Sequence, residues 1–237
     1  MRSLIRGLTV LAAAPILTGL VSVVAIIMVV VFRASATAVQ VVPRYWGRII
    51  AWLSGVRVQF SGTGHLDHGQ PYIFAANHQS QFDIFVLQGY FDFDFRWLAK
   101  LELFKVPVFG YAMRLAGYVP VDRTNGRRAV KSLDEAAARI AGGTSVIIFP
   151  EGTRSSDGSL LKFKSGAMVL AIKAGVPVVP VAIIGTHGVL PKGKLLARPG
   201  QVRIRVGKPI ETKGYTLKQK QELADLLQQK VAELMAG

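Results

Sequence analysis

Tyr72-Ile73-Phe74-Ala75-Ala76-Asn77-His78-Gln79-Ser80-Gln81-Phe82-Asp83-Ile84-Phe85-Val86-Leu87-Gln88 is the stretch that decides the fold. Its first five residues carry no charge and read as a buried strand, Tyr72–Ala76. A polar run follows to Asp83, and a helix is expected near Ile84–Gln88. A strand that turns through a polar loop into a helix is the repeating unit of layered α/β domains. The pattern recurs on both sides. Val56–Phe60, Ser145–Phe149, Val176–Ile184 and Val202–Val206 read as strands, and Tyr118–Val121 as a short one. Val108–Leu115, Arg128–Ile140, Ala167–Lys173 and Leu217–Met235 read as helices. The expectation is an α/β fold, a layered domain over residues 55–237 with a mostly parallel central sheet flanked by helices.

Upstream of Gly55 the character changes. From Leu8 to Phe32 there are 25 residues without a charge, bounded by Arg2, Arg6 and Arg33. As a helix they would extend roughly 37 Å, enough for a hydrocarbon core about 30 Å thick. Ala34-Ser35-Ala36 has the form of a signal-peptide cleavage site, but the apolar run exceeds the roughly 7–15 residues of a signal core. Arginine on both flanks gives no orientation. Pro15 and Gly19 leave open a bent hairpin that returns to the same leaflet. The following segment, Val39 to Leu53, sets Val41, Val42, Tyr45, Trp46, Ile49, Ile50 and Leu53 at helical spacing among Arg44 and Arg48. That spacing suits a headgroup region and equally a helix packed on the domain. Residues 1–54 are read as an N-terminal membrane-anchoring helical segment.

Composition agrees. Hydrophobic residues make up 51% of the 237, and 29 Lys and Arg against 14 Asp and Glu give a net charge of +15. Such a surface favours anionic partners: phospholipid headgroups, nucleic acid or an acidic protein. The basic residues are not interleaved with aromatics as on a nucleic-acid platform, so that partner is set aside. With no Cys, a disulfide scaffold, a thiolate zinc site and a cysteine nucleophile are excluded.

His78 leaves the carboxyl end of a strand, where α/β folds place their ligands. Asp83 lies near the start of the next helix and can turn back to the imidazole, fixing its tautomer and stabilising the imidazolium. A lone His in this position would more simply cap the helix; the carboxylate at a fixed offset favours the chemical reading. The pair is a general base without a nucleophile of its own, so the nucleophile must arrive as a hydroxyl on the substrate. Two arginines, Arg123 after Tyr118–Val121 and Arg154 after Phe149-Pro150-Glu151-Gly152-Thr153, stand just beyond strand ends. Their planar forks match phosphate oxygens, and Gly152 permits close backbone approach.

Rival motifs fail. Gly188 to Lys194 has the GxxxxGK spacing, but Leu195 replaces the magnesium-binding hydroxyl. No GxSxG elbow is present, and Ser80 has no oxyanion motif attached. His65, His68 and His187 show no metal spacing, so no metal site is expected.

Four blocks in order resemble the glycerolipid acyltransferase family. Asn77-His78-Gln79-Ser80-Gln81-Phe82-Asp83 is similar to its NHxSxxD block, and Gly117-Tyr118-Val119-Pro120-Val121-Asp122-Arg123 to its second block. Phe149 to Arg154 is similar to its FPEGTR block, and Val176-Pro177-Val178-Val179-Pro180-Val181-Ala182 to its apolar fourth, associated with the acyl donor. Lys100-Leu101-Glu102-Leu103 and Pro107-Val108-Phe109-Gly110 also follow the family pattern.

The resemblance implies catalysis by His78 and Asp83. It implies substrate contacts from Asn77, Ser80, Lys100, Arg123, Glu151, Gly152, Thr153 and Arg154, with Arg123 on the acceptor phosphate. The implied reaction moves a fatty acyl group from acyl-CoA or acyl carrier protein to the sn-2 hydroxyl of lysophosphatidic acid, giving phosphatidic acid, with no cofactor beyond the acyl co-substrate. The implied location is the cell (inner) membrane, with the catalytic domain on its cytoplasmic side. Pro120 departs from the pattern, where Phe or another apolar residue is usual, and leaves acceptor identity open. The alternatives are another lysolipid acceptor, such as a lyso-ornithine lipid or lysophosphatidylglycerol, and a hydrolase in which water replaces the hydroxyl. A non-catalytic membrane-binding module is disfavoured, because binding alone has no need of a base.

Overall fold

A computed structural model of the chain describes residues 2–122 and 126–237. Its strands are β1 (Val56–Ser61), β2 (Ile73–Ala76), β3 (Arg96–Lys100), β4 (Val119–Val121), β5 (Val146–Ile148), β6 (Val178–Ile184) and β7 (Gly200–Val206). They form one sheet in the order β1-β7-β6-β2-β5-β3-β4. β6, β2, β5, β3 and β4 are mutually parallel, whereas β7 runs antiparallel to β6 and carries β1 parallel to itself. The sheet is therefore mostly parallel, and its five parallel strands end on one edge.

The helices are α1 (Arg2–Val30), α2 (Val41–Ser54), α3 (Phe82–Tyr90), α4 (Phe109–Leu115), α5 (Gly126–Ala141), α6 (Ser165–Ala174), α7 (Thr186–Val189) and α8 (Lys220–Ala236). Strand β2 shows how they are layered. All four of its residues are fully buried, and they alternate. Phe74 and Ala76 face the cluster that includes Val39 and Ile50 near and on α2 and Val86 on α3; Ile73 and Ala75 face Ile140 on α5, Met168 on α6 and Leu227 on α8. A strand buried on both faces has no polar side to alternate, which is why it reads as a continuous apolar run.

Strand β3 is absent from the sequence reading because Arg96 and Lys100 bound it. Arg96 is only 6% exposed. It donates to an Asp94 carboxylate oxygen at 2.6 Å, to the Phe95 carbonyl at 2.9 Å and to Thr37 Oγ1 at 3.1 Å. A buried guanidinium with its donors engaged is tolerated where an unpaired one is not.

The apolar N-terminal run is one continuous helix, α1, so the bent hairpin that Pro15 and Gly19 left open is not formed. The chain reverses later. Arg33 adopts φ 52°, the Ala34 N–H reaches back to the Met28 carbonyl at 3.0 Å, and α2 then packs along α1. The Trp46 indole N–H donates to Thr18 Oγ1 at 3.1 Å and joins the two helices. α1 buries a narrow stripe (Gly7, Val10, Ser22, Ala25) and leaves Leu8, Ile16, Leu20 and Val30 exposed, as are Val31 and Phe32 just beyond its end. It is long and apolar enough to cross a membrane, and only 11% of its most apolar window is buried, unlike a core helix of a soluble domain. α2 packs on the domain through Ile50 and Ala51, which are fully buried, and leaves Tyr45, Ile49 and Trp52 exposed.

Candidate active site

Asn77 to Asp83 connect β2 to α3 at the carboxyl edge of the parallel strands, with the ends of β3, β4 and β5 beside them. Hydrogen bonding accounts for the loop's shape. The Asn77 amide exchanges two hydrogen bonds with Ile183 on β6, donating to its carbonyl at 2.8 Å and accepting from its N–H at 2.7 Å. The Ser80 hydroxyl donates to the Leu190 carbonyl at 2.7 Å and accepts the Phe82 N–H at 2.9 Å, capping the first turn of α3. Both side chains are fully buried. Asn77 and Ser80, expected to touch substrate, have their polar atoms engaged in holding the loop.

Asp83 is fully buried in the first turn of α3. Its Oδ2 accepts the Gln79 N–H at 2.8 Å, the Ser80 N–H at 2.9 Å and His78 Nδ1 at 2.8 Å. A carboxylate acceptor requires Nδ1 to carry the proton, which leaves Nε2 as the ring's free basic atom. The imidazole stacks on Phe149, ring centroids 3.9 Å apart and planes 13° off parallel, and Phe149 in turn stacks on Trp97 at 6.0 Å. The imidazole is thus fixed from one side by a hydrogen bond to a carboxylate and from the other by aromatic packing.

Glu151 joins this site through the backbone. Its Oε1 accepts the His78 N–H at 2.7 Å and its Oε2 accepts the Leu161 N–H at 3.1 Å. Burial pushes its carboxyl up to about 7, against the two backbone N–H donors that favour the charge. The Ser155 N–H donates to the His78 carbonyl at 2.8 Å, and Gln79 Nε2 to the Gly158 carbonyl at 2.7 Å. The loop 149–159 is in this way sewn to the histidine loop.

The remaining residues expected to bind substrate are spread along the same edge. Gly152 sits at φ 71°, and a Cβ there would come within 3.0 Å of Lys164 Nζ, so the glycine lets an ammonium lie over the turn. Lys164, just before α6, was not singled out in the sequence; the signal for it is its place in residues 152–166, a stretch rich in Gly, Ser, Thr and Lys. Thr153 is exposed, and its hydroxyl and the Arg154 carbonyl are met by Lys192 Nζ at 3.4 and 2.9 Å. Arg154 is half-buried beside Ser155. Lys100 ends β3, exposed and 3.4 Å from Glu102. Arg123 lies outside the described residues; its neighbour Asp122 is described, 8% exposed.

Two cavities meet at this edge. One of about 460 Å³ begins at His78 and Phe149 and runs between Trp97, Phe109 and Met113 to Thr18, Val21 and Ser22 on α1 and Trp46 on α2. Its walls are overwhelmingly apolar, a lining that suits a hydrocarbon chain. The other, about 330 Å³, shares Phe149 and is lined by Asp122, Pro150, Gly152, Lys164 and Gly166. At its inner wall the first cavity holds a polar network: Trp97 Nε1–H donates to Gln88 Oε1 at 2.6 Å, and the Tyr118 hydroxyl lies 3.3 Å from the same oxygen. Burial raises the Tyr118 hydroxyl well above the ordinary tyrosine range, so it stays protonated and donating.

The Acyltransferase family model matches residues 57–184, which include every residue of the site named above except Leu190, Lys192 and the cavity contacts from α1 and α2. The chain is similar to a chloroplastic 1-acyl-sn-glycerol-3-phosphate acyltransferase of Brassica napus, 39% identical over 70% of this chain and 46% of the relative. It is similar to human 1-acyl-sn-glycerol-3-phosphate acyltransferase alpha, 35% identical over 74% and 62%. It spans about half the length of the curated relatives it matches, 46% and 48% in two of them. A crystal structure of a 1-acyl-sn-glycerophosphate acyltransferase, PlsC, from Thermotoga maritima superposes with a TM-score of 0.78 at 30% identity, covering 99% of this chain and 98% of that one.

Proposed function

This chain belongs to the Acyltransferase family, and from that premise we propose that it moves a fatty acyl group onto the sn-2 hydroxyl of lysophosphatidic acid, giving phosphatidic acid. One observation carries the reading: the His78–Asp83 pair stands at the mouth of an apolar cavity that adjoins, at Phe149, a second cavity bearing Gly152 and the Lys164 ammonium. An acyl chain and a phosphate can then flank one base. The names of the relatives support the same acceptor.

In the proposed step the acceptor hydroxyl gives its proton to His78 Nε2 as its oxygen attacks the thioester carbonyl carbon. A C–O bond forms, the C–S bond breaks, and the proton passes from the imidazolium to the departing thiolate. Asp83 stabilises the transient imidazolium through Nδ1–H. Arg154 and Lys164, with Arg123, hold the acceptor phosphate, while Lys192 and Gly152 shape the turn that presents them. Lys100 is read as a further substrate contact at the end of β3. Positioning by these groups contributes alongside general-base catalysis, which is worth roughly 10²–10⁴-fold. The donor is acyl-CoA or acyl carrier protein.

The reading also places the enzyme on a cell (inner) membrane, catalytic domain to the cytoplasm, held by α1 and the exposed side of α2. α1 packs on α2 and α4, and Gly7 lies against Leu196 and Ala197. A helix clasped to the domain in this way suits insertion beside the domain in one leaflet better than a perpendicular span.

The test is product analysis with purified protein, a panel of lysolipids and both donors. Phosphatidic acid from lysophosphatidic acid is the expected product, and His78→Ala should lower its rate by roughly 10²–10⁴-fold with the melting temperature unchanged. Free fatty acid as the main product, or undiminished transfer by the variant, would overturn the reading.

A further inference from the structure

Between β3 and α4 the chain makes a short 3-10 helix, Leu101–Lys105, and then Val106-Pro107-Val108. Leu103, Val106, Val108 and Tyr111 are 42–48% exposed, four large apolar side chains within nine residues. Exposed apolar residues scattered singly need no explanation, but a contiguous patch does.

The backbone adds a second observation. Val108 has φ 62° and ψ −61°, and the Phe109 N–H donates to the Pro107 carbonyl at 2.6 Å. That is the strained form of the γ-turn, rare for any residue and worse for a β-branched one. Only Arg33 shares a positive φ among the described non-glycine residues. The turn does not serve the core, because it leaves the valine side chain nearly half exposed. Strain kept without a packing return points to a role outside the fold.

The inner side of the same segment is part of the large cavity. Leu103, Phe109 and Met113 line it, and α4 packs against α1. Leu103 both lines the cavity and is 42% exposed, so the segment forms a lip at the opening. The lip continues the apolar surface of α1, and exposed Lys105 and Arg114 bracket it.

We propose that residues 103–111 are a membrane-seated portal: Val106, Val108 and Tyr111 rest among the lipids of an anionic bilayer, and acyl chains pass over Leu103 into the cavity. Apolar tips ringed by cations match an anionic lipid surface, where an acidic protein would leave the valines uncovered. The passage of acyl chains rests on the acyltransfer reading; the seating of the lip does not.

The chain has no Cys, so Val108→Cys offers a single site for a polarity-sensitive dye. Vesicles of phosphatidylcholine and phosphatidylglycerol should shift its emission to the blue, and lipids brominated on their acyl chains should quench it. The same dye at Gly64→Cys, an exposed loop position with no atom within 4 Å of a new Cβ, should not respond. An unresponsive dye at 108, or one that responds to acyl carrier protein and not to vesicles, overturns the proposal. Val106→Asp with Val108→Asp should raise the vesicle-borne lysolipid needed for half-maximal rate on the order of tenfold. A short-chain lysolipid dissolved as monomer should be turned over as before. Equal loss with both substrates overturns the portal. A wild-type enzyme that acylates no lysolipid while the dye still reports lipid would sink the enzymatic reading and leave the seating intact.

Discussion

Asp83 loads one oxygen with three donors, while its Oδ1 has no partner among the described residues. The asymmetry shows how the loop works: Oδ2 gathers the turn and the imidazole about one point, so the base is oriented by the same contact that folds the loop. His78 and Asp83 were legible because the polar run stood out between apolar flanks. Asn77 and Ser80 looked similar in type and position, but their partners, Ile183 and Leu190, lie more than a hundred residues away and only the fold reveals them. Glu151 yields a prediction at this scale. An ordinary glutamate titrates near 4.5, and burial holds this one at about 7 when folded. Between those values the folded state keeps a proton that the unfolded state has lost, so stability falls as pH rises from 4.5 to 7 and levels off above. Glu151→Gln carries no such proton. Melting temperatures followed from pH 4.5 to 7 should fall less steeply for the variant than for the wild type, and parallel slopes would remove the linkage.

At the level of elements, α2 crosses α3 through two glycines. A Cβ on Gly47 would come 2.5 Å from the Phe85 carbonyl and 2.7 Å from the Gly89 N–H, and one on Gly89 would come 2.8 Å from the Arg48 N–H. All of these are backbone atoms, so the clash cannot be relieved by a side-chain rotation. Arg48 completes the crossing by donating from Nε to the Gly89 carbonyl at 2.8 Å. Gly47→Ala should destabilise the protein by about 1–3 kcal/mol through overpacking, measurable by denaturant titration in detergent. The sequence could not forecast this, because two glycines some forty positions apart announce no contact. It did forecast most strands and helices, since apolar period and turn polarity are local. β3 escaped because its hydrogen-bonding partners, β4 and β5, are distant in sequence and its own ends are cationic.

The whole molecule brings the two halves of the reading together. The expected boundary at residue 54 separates a lipid-loving segment from a catalytic domain on the sequence, and α2 and β1 do abut there, at Gly55. The cavity does not respect that boundary. Thr18, Val21 and Ser22 of α1 and Pro43 and Trp46 of α2 complete a wall that begins at His78. A protein shortened to its globular part would therefore retain its base pair and its cationic turn while lacking one side of the chamber between them. Removal of residues 1–54 should abolish transfer of long acyl chains even from detergent solution, where anchoring is irrelevant, and assay of the truncated protein with long-chain and short-chain donors would show it. What looks like a mooring is also masonry: under the proposed function, the segment that would tie the protein to lipid also walls the room that a lipid's tail would occupy.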